Sequence, residues 1–527
     1  MSGERKTISL GDLIRQLEAR GDVASTITGV SYDSRAVQPG HVFVAIKGTH
    51  VDGHRFIGQA IERGAAVIVY EDPVSLGASD QVVFVHVSNS RAALSPIAAA
   101  FFGYPAVGLR VVGVTGTKGK TTTSTLCAHV LDAEGHTSGL MTTADFKIGA
   151  RWWENTTRQT TPEALEVQAM LRDMAGAGCD YAVLEASSHG LSERWNRLGD
   201  CRFDVAVFTN VTHEHLDYHG TVEQYRRDKA RLFELLDAPD ARSGSRKQRK
   251  TAIVNLDDLY ASLYLEAAAH ASERVTYAVE DPRADVRAVD IAPSRDGTTY
   301  TAETPWGAVK IELRLPGIFN VHNSLAALTV GLSEGIAPEA CAAALAGVMG
   351  VTGRMERVDL GQPFTVVVDY AHNPDSFEKV MAMLRPLTQG RLIAVFGSAG
   401  ERDRQKRPIQ GGIAGRYCDL VVITDEDPRD EDREAILEEI ALGVRAVGKR
   451  EGDGYLKIAD RAQAVREAFR RAAPGDIVML LGKGHESCIY YEHGRKLPWL
   501  ERAEAERALR ELGYEDGPGA RGPSSSE

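Results

Sequence analysis

The chain has 527 residues and a mass of 57.1 kDa, and since domains typically contain roughly 100–200 residues, we expect about three of them. Apolar residues make up 43% and charged residues 25% of the sequence, which favours folded globular domains over extensive disorder or a fibrous repeat. The formal net charge of −12 repels nucleic-acid backbones and anionic membrane surfaces, so we expect neither as a partner.

The cysteine and hydropathy patterns both indicate a cytoplasmic protein. The six cysteines are scattered without a C-x-x-C pair, which disfavours a disulfide framework and a thiolate metal site. Residues 1–22 carry charges throughout, and no segment reaches the ~20 apolar residues of a membrane span. We therefore expect neither export nor a membrane anchor.

The predicted elements, taken in chain order, form three α/β domains and a tail. In residues 1–108, apolar runs such as VFVAI and AAVIVY alternate with amphipathic segments, which predicts a small α/β domain. In residues 109–348, the runs LRVVGVTG, YAVLEAS, FDVAVFTNV and TAIVNL are separated by helical segments, which is typical of a doubly wound parallel sheet. Residues 349–514 repeat this pattern with TVVVDYA, RLIAVFGSAG, DLVVITDEDP and GDIVMLLGKG, and predict a Rossmann-like α/β domain. The composition of residues 515–527 predicts a disordered tail.

The clearest motif is a phosphate-binding loop. The strand VVGV runs into TGTKGKTTT and then into the helical STLCAHVLDAEG, which is the strand–turn–helix context of such loops. The glycines let backbone N–H groups point at phosphate oxygens, Lys120 reaches the outer phosphates, and the hydroxyl of Thr121 has the position of a Mg²⁺ ligand. Val114 stands where the full motif has its first glycine, so we interpret this as a variant P-loop.

Two further strand ends carry polar groups, and ligands of open α/β sheets bind at the carboxyl ends of strands. Glu185 follows the strand YAVLE and is a natural Mg²⁺ ligand or water-positioning group. The next strand end reads THEHLDYH (212–219), whose spacing differs from H-E-x-x-H, so we favour phosphate or Mg²⁺ chemistry over a zinc protease. From its helical pattern alone, Lys229 in YRRDKARLFELL would be interpreted as solvent-exposed.

In order and spacing, these motifs resemble those of the Mur ligases, which are ATP-dependent amide-bond-forming enzymes of peptidoglycan precursor synthesis. The resemblance covers nearly the whole chain and is carried by TGTKGKTTT, QTTPEALE, EASSHGL, TNVTHEHLDYHG, DKARLF, GRMERV, DYAHNPDSFE, GERDRQKRP, DEDPR and GKGHE. Within the family, the set is similar to the ligase that adds a diamino acid, as the third residue, to UDP-N-acetylmuramoyl-L-Ala-D-Glu. The resemblance implies an N-terminal UDP-sugar-binding domain, a central ATP-binding domain and a C-terminal ligase domain.

The resemblance also implies ATP and two Mg²⁺ ions. Lys229 matches a lysine that is carbamylated in the family, and the resulting N6-carboxylysine would be an anionic metal ligand. The implied metal-site residues are Thr121, Glu185, His215 and Lys229. The implied ATP-binding residues are Gly116, Thr117, Lys118, Gly119, Lys120, Thr121, Thr122, Asn323, Arg354, Asp369 and His372. The implied catalytic residues are Lys120, Lys229, His215 and Arg354.

The two substrates of the implied reaction have their own residue sets. For the UDP-sugar peptide these are Ser34, Thr160, Thr161, Ser187 and Arg197, with Arg194 as an alternative because the segment after SSHGL is two residues longer than usual. For the diamino acid they are Arg402, Asp427, Pro428, Arg429, Gly482 and Glu486.

The identity of the diamino acid stays open in the sequence. Ligases for meso-diaminopimelate typically read DNPR, whereas this chain has Asp427 in place of the asparagine. The additional carboxylate repels a carboxylate ligand and favours lysine or ornithine. Arg429 favours a carboxylate, since a guanidinium fork suits that group, so both classes of amino acid remain candidates.

We therefore expect a monomeric, ADP-forming acid–amino-acid ligase that acts through an acyl phosphate. The D-Glu γ-carboxylate attacks the γ-phosphate of ATP, and the α-amino group of the diamino acid then displaces phosphate. One alternative is a folylpolyglutamate-synthase-like ligase, which lacks the UDP-sugar domain indicated by DSRAVQPGHVFVAIKG (33–48). The other is a non-catalytic or mechanical P-loop NTPase, which leaves DYAHNP, GRMERV and GKGHE unexplained.

Overall fold

The computed structural model describes residues 6–7, 9–19, 27–48, 51–73, 82–157, 159–212, 216–237, 249–294 and 297–515. The strands of the N-terminal region are β1 (Lys6–Thr7), β2 (Gly29–Ser31), β3 (His41–Val44), β4 (Val67–Tyr70) and β5 (Val83–His86), and its helices are α1 (Leu10–Ala19), α2 (Ile57–Glu62) and α3 (Ser90–Phe101). The five strands are parallel, in the order β1-β5-β4-β3-β2. The sheet has an apolar cluster on each face. Val42 and Phe43 are successive residues of β3 and pack in different clusters, because side chains alternate between the two faces of a strand.

The central sheet contains eleven strands. They are β6 (Arg110–Thr115), β7 (Ser138–Met141), β8 (Asp145–Ile148), β9 (Arg151–Glu154), β10 (Tyr181–Glu185), β11 (Val205–Phe208), β12 (Thr251–Asn255), β13 (Glu273–Ala278), β14 (Val286–Ser294), β15 (Gly297–Glu303) and β16 (Val309–Leu313). Their order is β16-β15-β14-β13-β12-β11-β6-β10-β7-β8-β9. Strands β7, β10, β6, β11 and β12 are parallel neighbours, whereas β8 and β9 form an antiparallel extension.

The helices that follow α3 are α4 (Lys120–Leu131), α5 (Ala164–Gly176), α6 (Ser188–Leu191), α7 (Leu216–His219), α8 (Val222–Glu234), α9 (Ala261–Ala267), α10 (Ile318–Ser333) and α11 (Pro338–Ala346). Helix α8 begins after Thr221, whose side chain accepts a hydrogen bond from the backbone N–H of Gln224 and so satisfies one free donor of the first turn.

The C-terminal sheet has six strands, β17 (Glu356–Val358), β18 (Thr365–Asp369), β19 (Leu392–Phe396), β20 (Leu420–Ile423), β21 (Tyr455–Lys457) and β22 (Ile477–Leu481). Their order is β17-β18-β22-β19-β20-β21, and all neighbours are parallel except β17 and β18. The helices are α12 (Pro374–Leu384), α13 (Lys406–Tyr417), α14 (Arg433–Ala446), α15 (Arg461–Arg471) and α16 (Glu501–Glu511), and a small hairpin joins β23 (Cys488–Tyr490) to β24 (Lys496–Pro498).

The chain divides into two compact units. The first unit comprises Met1–Val289, Thr301–Ile311 and Val321–Leu345, and the second comprises Asp290–Tyr300, Glu312–Asn320 and Ala346–Glu527. The parallel-rich sheets confirm the predicted α/β fold class. The boundaries at residues 108 and 348 stay a prediction, and the predicted tail lies largely outside the described residues. In the part of the chain that the structure describes, none of the helices combines the length and apolarity that a bilayer span needs.

Candidate nucleotide, metal and amino-acid sites

The predicted phosphate loop connects β6 to α4 in the first unit. Gly116 has a φ of 151° and Gly119 a φ of 85°, backbone conformations that side chains disfavour. A Cβ atom on Gly116 would lie 1.9 Å from Thr209 Oγ1, and one on Gly119 would lie 2.4 Å from Asn323 Oδ1. Both positions therefore require glycine, and Asn323 lies against the loop, where its Oδ1 also accepts from the Thr123 hydroxyl at 3.2 Å.

Lys120 and Lys229 converge on the same backbone carbonyl of this loop. The Nζ of Lys120 donates to Gly116 O at 3.1 Å and to Thr117 O at 3.0 Å, and the Nζ of Lys229 donates to Gly116 O at 2.7 Å. Lys229 is only 1% exposed, and its ammonium lies 4.4 Å from the centroid of the Tyr225 ring. The helical pattern on its own was wrong for Lys229, because the polar face of α8 packs against the phosphate loop.

Thr121 and Glu185, the two predicted oxygen ligands, are in direct contact. The Thr121 hydroxyl donates to Glu185 Oε2 at 2.9 Å, and the same oxygen accepts from the backbone N–H of Thr143 at 2.8 Å. Both side chains are buried at the carboxyl edge of the sheet. A hydroxyl beside a carboxylate is a donor set that suits Mg²⁺, so these residues fit the implied ion. The third predicted ligand, His215, lies outside the described residues.

A buried hydrogen-bonded chain, which was not predicted from the sequence, holds α8 against the segment that follows β10. His219 Nδ1 bonds Asp228 Oδ2 at 2.6 Å, and its Nε2 bonds Ser188 Oγ at 3.0 Å. Asp228 immediately precedes Lys229, so this chain fixes the part of the helix from which Lys229 projects. The signal was present in the sequence as the last histidine of HEHLDYH.

Three of the residues predicted for the UDP-sugar peptide form one cluster. The Thr161 hydroxyl donates to Glu185 O at 3.0 Å and accepts from both the N–H and the hydroxyl of Ser187 at 3.1 and 3.0 Å. Thr160 Oγ1 accepts from Thr143 at 3.1 Å. Ser34 lies in the N-terminal region, where its hydroxyl donates to Gln59 Oε1 at 2.7 Å.

The two candidate arginines have very different environments. Arg197 is buried, where its Nη1 donates to Thr161 O and its Nη2 to Glu163 Oε1, both at 2.6 Å. Arg194 is exposed and lines a cavity of about 480 Å³, with its guanidinium 6.0 Å from the centroid of the Tyr218 ring. Of the two arginines, only Arg194 lines this cavity.

In the second unit, Tyr370 lies at the centre of the residues predicted to act on ATP. The guanidinium of Arg354 stands 4.7 Å from the Tyr370 ring centroid, and His372 Nδ1 bonds Tyr370 O at 2.9 Å. Asp369 accepts from the backbone N–H groups of Met355 and Ala371, both at 2.8 Å, and so ties the GRMERV segment to the end of β18. Burial raises the pKa of Tyr370, which therefore stays neutral.

The loops after β20 and β22 bring two of the predicted diamino-acid residues, Asp427 and Glu486, together around Lys483. This lysine is fully buried, and its Nζ donates to Asp427 Oδ1 at 2.8 Å and to Glu486 Oε2 at 2.5 Å. Burial alone would lower the pKa of Lys483, but Glu486 and Asp427 raise it above its ordinary value. Lys483 therefore stays charged and compensates the carboxylate of Asp427, a counter-charge that the sequence pattern alone did not predict.

Of the remaining predicted residues, Pro428, Arg429 and Gly482 belong to the same two loops, whereas Arg402 belongs to the loop after β19. Arg429 has a φ of 57°, and its backbone N–H donates to Tyr490 O at 3.0 Å. Pro428 and Gly482 are buried, whereas Arg402 is exposed. Gly482, with a φ of 100°, lies so close to Glu426 that a Cβ atom would stand 2.8 Å from Glu426 Oε2.

Glu426 is a buried carboxyl that was not predicted as a site residue. Its Oε2 has no hydrogen-bond partner among the described residues. Burial raises the pKa of Glu426 from 4.5 to about 7; Lys406 and Lys483 act in the opposite direction, while Glu486 and Asp427 add to the rise. The carboxyl is therefore partly protonated near neutral pH.

We expect Glu426→Gln to become more stable relative to the parent protein as the pH rises from 5 to 8. The folded state keeps a proton that the unfolded chain releases above pH 4.5, so the parent loses stability until the pH passes about 7. A pKa difference of that size corresponds to about 3 kcal/mol. Unfolding of both proteins at pH 5 and pH 8 measures the effect, with the exposed Glu434→Gln as control. An equal difference at the two pH values would contradict it.

Comparison with known proteins decides the family. Three family models match: "Mur ligase family, catalytic domain" over residues 26–102, "Mur ligase middle domain" over 114–331, and "Mur ligase, glutamate ligase domain" over 353–484. The chain is 62% identical to the UDP-N-acetylmuramyl-tripeptide synthetase of Roseiflexus sp. (strain RS-1), over 93% of this chain and 95% of that protein. The chain belongs to the Mur ligase family. As a Mur ligase it is an ATP-dependent, ADP-forming enzyme, which confirms the predicted reaction class.

Two further comparisons agree with this assignment. This Mur ligase is 41% identical to the UDP-N-acetylmuramoyl-L-alanyl-D-glutamate–2,6-diaminopimelate ligase of Geobacter metallireducens, over 95% of this chain and 98% of that protein. It superposes on a solved structure of a ligase with the same name with a TM-score of 0.64 and 31% identity, covering 92% of this chain and 95% of that one. The mechanical NTPase and the folylpolyglutamate-synthase-like ligase are thereby set aside.

Proposed function

We propose that this Mur ligase joins the D-Glu of UDP-N-acetylmuramoyl-L-Ala-D-Glu to a diamino acid, at the expense of ATP. The names of its relatives support this choice of substrates. One relative is named a UDP-N-acetylmuramyl-tripeptide synthetase, and two are named UDP-N-acetylmuramoyl-L-alanyl-D-glutamate–2,6-diaminopimelate ligases. The observation that carries the proposal is the contact of Thr121 with Glu185 beside the converging Lys120 and Lys229. This arrangement suits activation of a carboxylate by phosphoryl transfer.

In the first step, the D-Glu γ-carboxylate attacks the γ-phosphorus of ATP, and ADP leaves. The backbone N–H groups of the loop Gly116, Thr117, Lys118, Gly119, Lys120, Thr121 and Thr122 would surround the phosphates, with Lys120 neutralising the outer ones. Asn323, held against Gly119, would contact the adenine. Arg354, Asp369 and His372 would complete the ATP-binding set, with the Arg354 guanidinium compensating charge on the transferring phosphoryl group.

Thr121, Glu185, His215 and Lys229 would hold the two Mg²⁺ ions. When bound, these ions neutralise the charge that develops on the phosphates. The burial of Lys229 beside Gly116 O supports a carbamate, since the modification would turn the ammonium into an anionic oxygen ligand next to the loop. The His219–Asp228 pair keeps the part of α8 that carries Lys229 in place.

In the second step, the α-amino group of the diamino acid attacks the acyl carbonyl and phosphate leaves. Thr160, Thr161 and Ser187 would bind the UDP-sugar peptide, with Ser34 for its nucleotide end. We propose Arg194 as the arginine that meets this substrate, because Arg197 is committed to Thr161 O and Glu163. Arg197 would then act through Thr161.

The diamino acid would bind between the loops after β20 and β22, which carry its predicted contacts Asp427, Pro428, Arg429, Gly482 and Glu486. Its remaining predicted contact, Arg402, belongs to the loop after β19. Lys483 offsets the charge of Asp427, so the repulsion that favoured lysine or ornithine over meso-diaminopimelate is weaker than the sequence suggests. Arg429 remains a suitable partner for a distal carboxylate.

Isotope transfer tests the acyl phosphate. With ¹⁸O in the D-Glu γ-carboxylate, we expect each turnover to place one ¹⁸O in the released phosphate, because the carboxylate oxygen that attacks phosphorus departs with it. Mass spectrometry of the phosphate measures this transfer, and a reaction without diamino acid is the control. Tripeptide formation with unlabelled phosphate would contradict the mechanism.

A further inference from the structure

Arg461 is a fully buried arginine at the start of α15, and its guanidinium connects three chain segments of the second unit. Its Nη1 donates to Asp425 O at 2.9 Å, and its Nη2 donates to Leu481 O at 2.8 Å. The Nε and Nη2 groups also bind Glu501, at 2.9 Å to Oε2 and 2.8 Å to Oε1. These bonds use four of the five N–H donors of the guanidinium, and a buried charge needs partners of this kind because an unpaired buried charge carries a large desolvation cost.

The two carbonyls that Arg461 binds lie where the loops of the proposed diamino-acid site begin. Asp425 follows β20 and immediately precedes Glu426 and Asp427, and Leu481 is the last residue of β22, directly before Gly482. Strands β20 and β22 are not neighbours, since β19 lies between them. Backbone hydrogen bonds of the sheet therefore do not join the two loops directly, whereas the guanidinium of Arg461 does.

Glu501, the counter-ion of Arg461, extends the connection to the far end of the second loop. Its Oε2 accepts from the indole Nε1 of Trp499 at 2.6 Å, and the backbone N–H of Trp499 donates to Ser487 O at 2.9 Å. Ser487 directly follows Glu486, which binds Lys483. Arg461 thus fixes the start of both loops, and Glu501 with Trp499 fixes the end of one.

We infer that Arg461, with Glu501 and Trp499, is a positioning unit that sets the spacing of the two loops and thereby the affinity for the diamino acid. None of the three residues needs to touch the substrate. The inference rests on the proposed function, since it presumes that these loops bind the diamino acid. A lysine in place of Arg461 keeps the charge but lacks the planar fork that binds two carbonyls and a carboxylate together.

The test is steady-state kinetics of the full-length Arg461→Lys variant, with each of the three substrates varied in turn. We expect the KM for the diamino acid to rise by about 10-fold or more, because small displacements of binding groups are costly, while the KM values for ATP and the UDP-dipeptide stay within twofold. Glu501→Gln, which keeps the arginine and the size of the glutamate, should shift the same KM in the same direction. It also provides the test if Arg461→Lys does not fold.

Arg391→Lys is the matched control. Arg391 binds Asp476 through Nε at 3.1 Å and Nη2 at 2.9 Å, at the amino ends of β19 and β22, away from the loops. We expect this variant to lose stability without a change in the KM for the diamino acid. An unchanged diamino-acid KM in both Arg461→Lys and Glu501→Gln, or an equal rise for all three substrates, would overturn the inference. If the parent enzyme forms no tripeptide with any diamino acid, the proposed function fails instead.

Discussion

Lys229→Ala is expected to lose turnover by about 10²–10³-fold or more, because it removes the group that would become the anionic metal ligand beside the phosphate loop. Added formate or another small acid should restore part of the activity, since a free carboxylate can enter the space left by the side chain. Rates of ADP release, measured with and without formate, test both statements.

Lys147→Ala provides the control for this rescue. Lys147 is also a buried lysine of the first unit, where its Nζ binds Ser138 O at 2.8 Å and Asp132. We expect its loss to reduce stability without any response of activity to formate. Full activity of Lys229→Ala, or equal stimulation of both variants by formate, would contradict a carbamate at Lys229.

Lys483→Met is expected to destabilise the protein by about 3–5 kcal/mol, because it leaves the buried carboxylate of Asp427 and the partly buried one of Glu486 without their cation. Asp427 and Glu486 both bind the Lys483 ammonium, and the long apolar methionine side chain preserves most of the packing. The free energy of unfolding, measured in denaturant, gives the size of the effect.

The double variant Lys483→Met, Asp427→Asn should recover part of the lost free energy of unfolding, since it removes one of the two carboxylates that the lysine neutralises. A double-mutant cycle with Asp427→Asn alone isolates the coupling between the two residues. Additive effects of the two substitutions would show that Lys483 does not compensate Asp427. The uncompensated carboxylate would then favour lysine or ornithine over meso-diaminopimelate.

Much of the fold could be predicted from the sequence, because buried parallel strands leave long apolar runs. TVVVDYA, RLIAVFGSAG, DLVVITDEDP and GDIVMLLGKG correspond to β18, β19, β20 and β22, all in one sheet. The antiparallel additions were not predicted. Strand β9, with the sequence RWWE, is too short and too mixed in character to stand out from a loop.

The phosphate loop could be predicted because its residues are consecutive in the sequence. The contact between Thr121 and Glu185 could be predicted because they lie at or beyond the ends of neighbouring parallel strands, whose carboxyl ends lie at the same edge of the sheet. The charge balance could not be predicted, because it depends on contacts between distant segments. Lys483 lies 56 positions beyond Asp427 in the chain, and only the fold brings the two together. The burial of Arg197 against Thr161 and Glu163 has the same origin, since the three residues meet through the packing of two loops.

Product formation tests the central claim most directly. The enzyme is supplied with UDP-N-acetylmuramoyl-L-Ala-D-Glu, ATP and Mg²⁺, together with meso-diaminopimelate, L-lysine or L-ornithine in separate reactions, and the product mass is measured. We expect a UDP-linked tripeptide with at least one of the three, with one ADP released for each tripeptide formed. ADP release that does not depend on any diamino acid, without a tripeptide in any reaction, would contradict the assignment of this step.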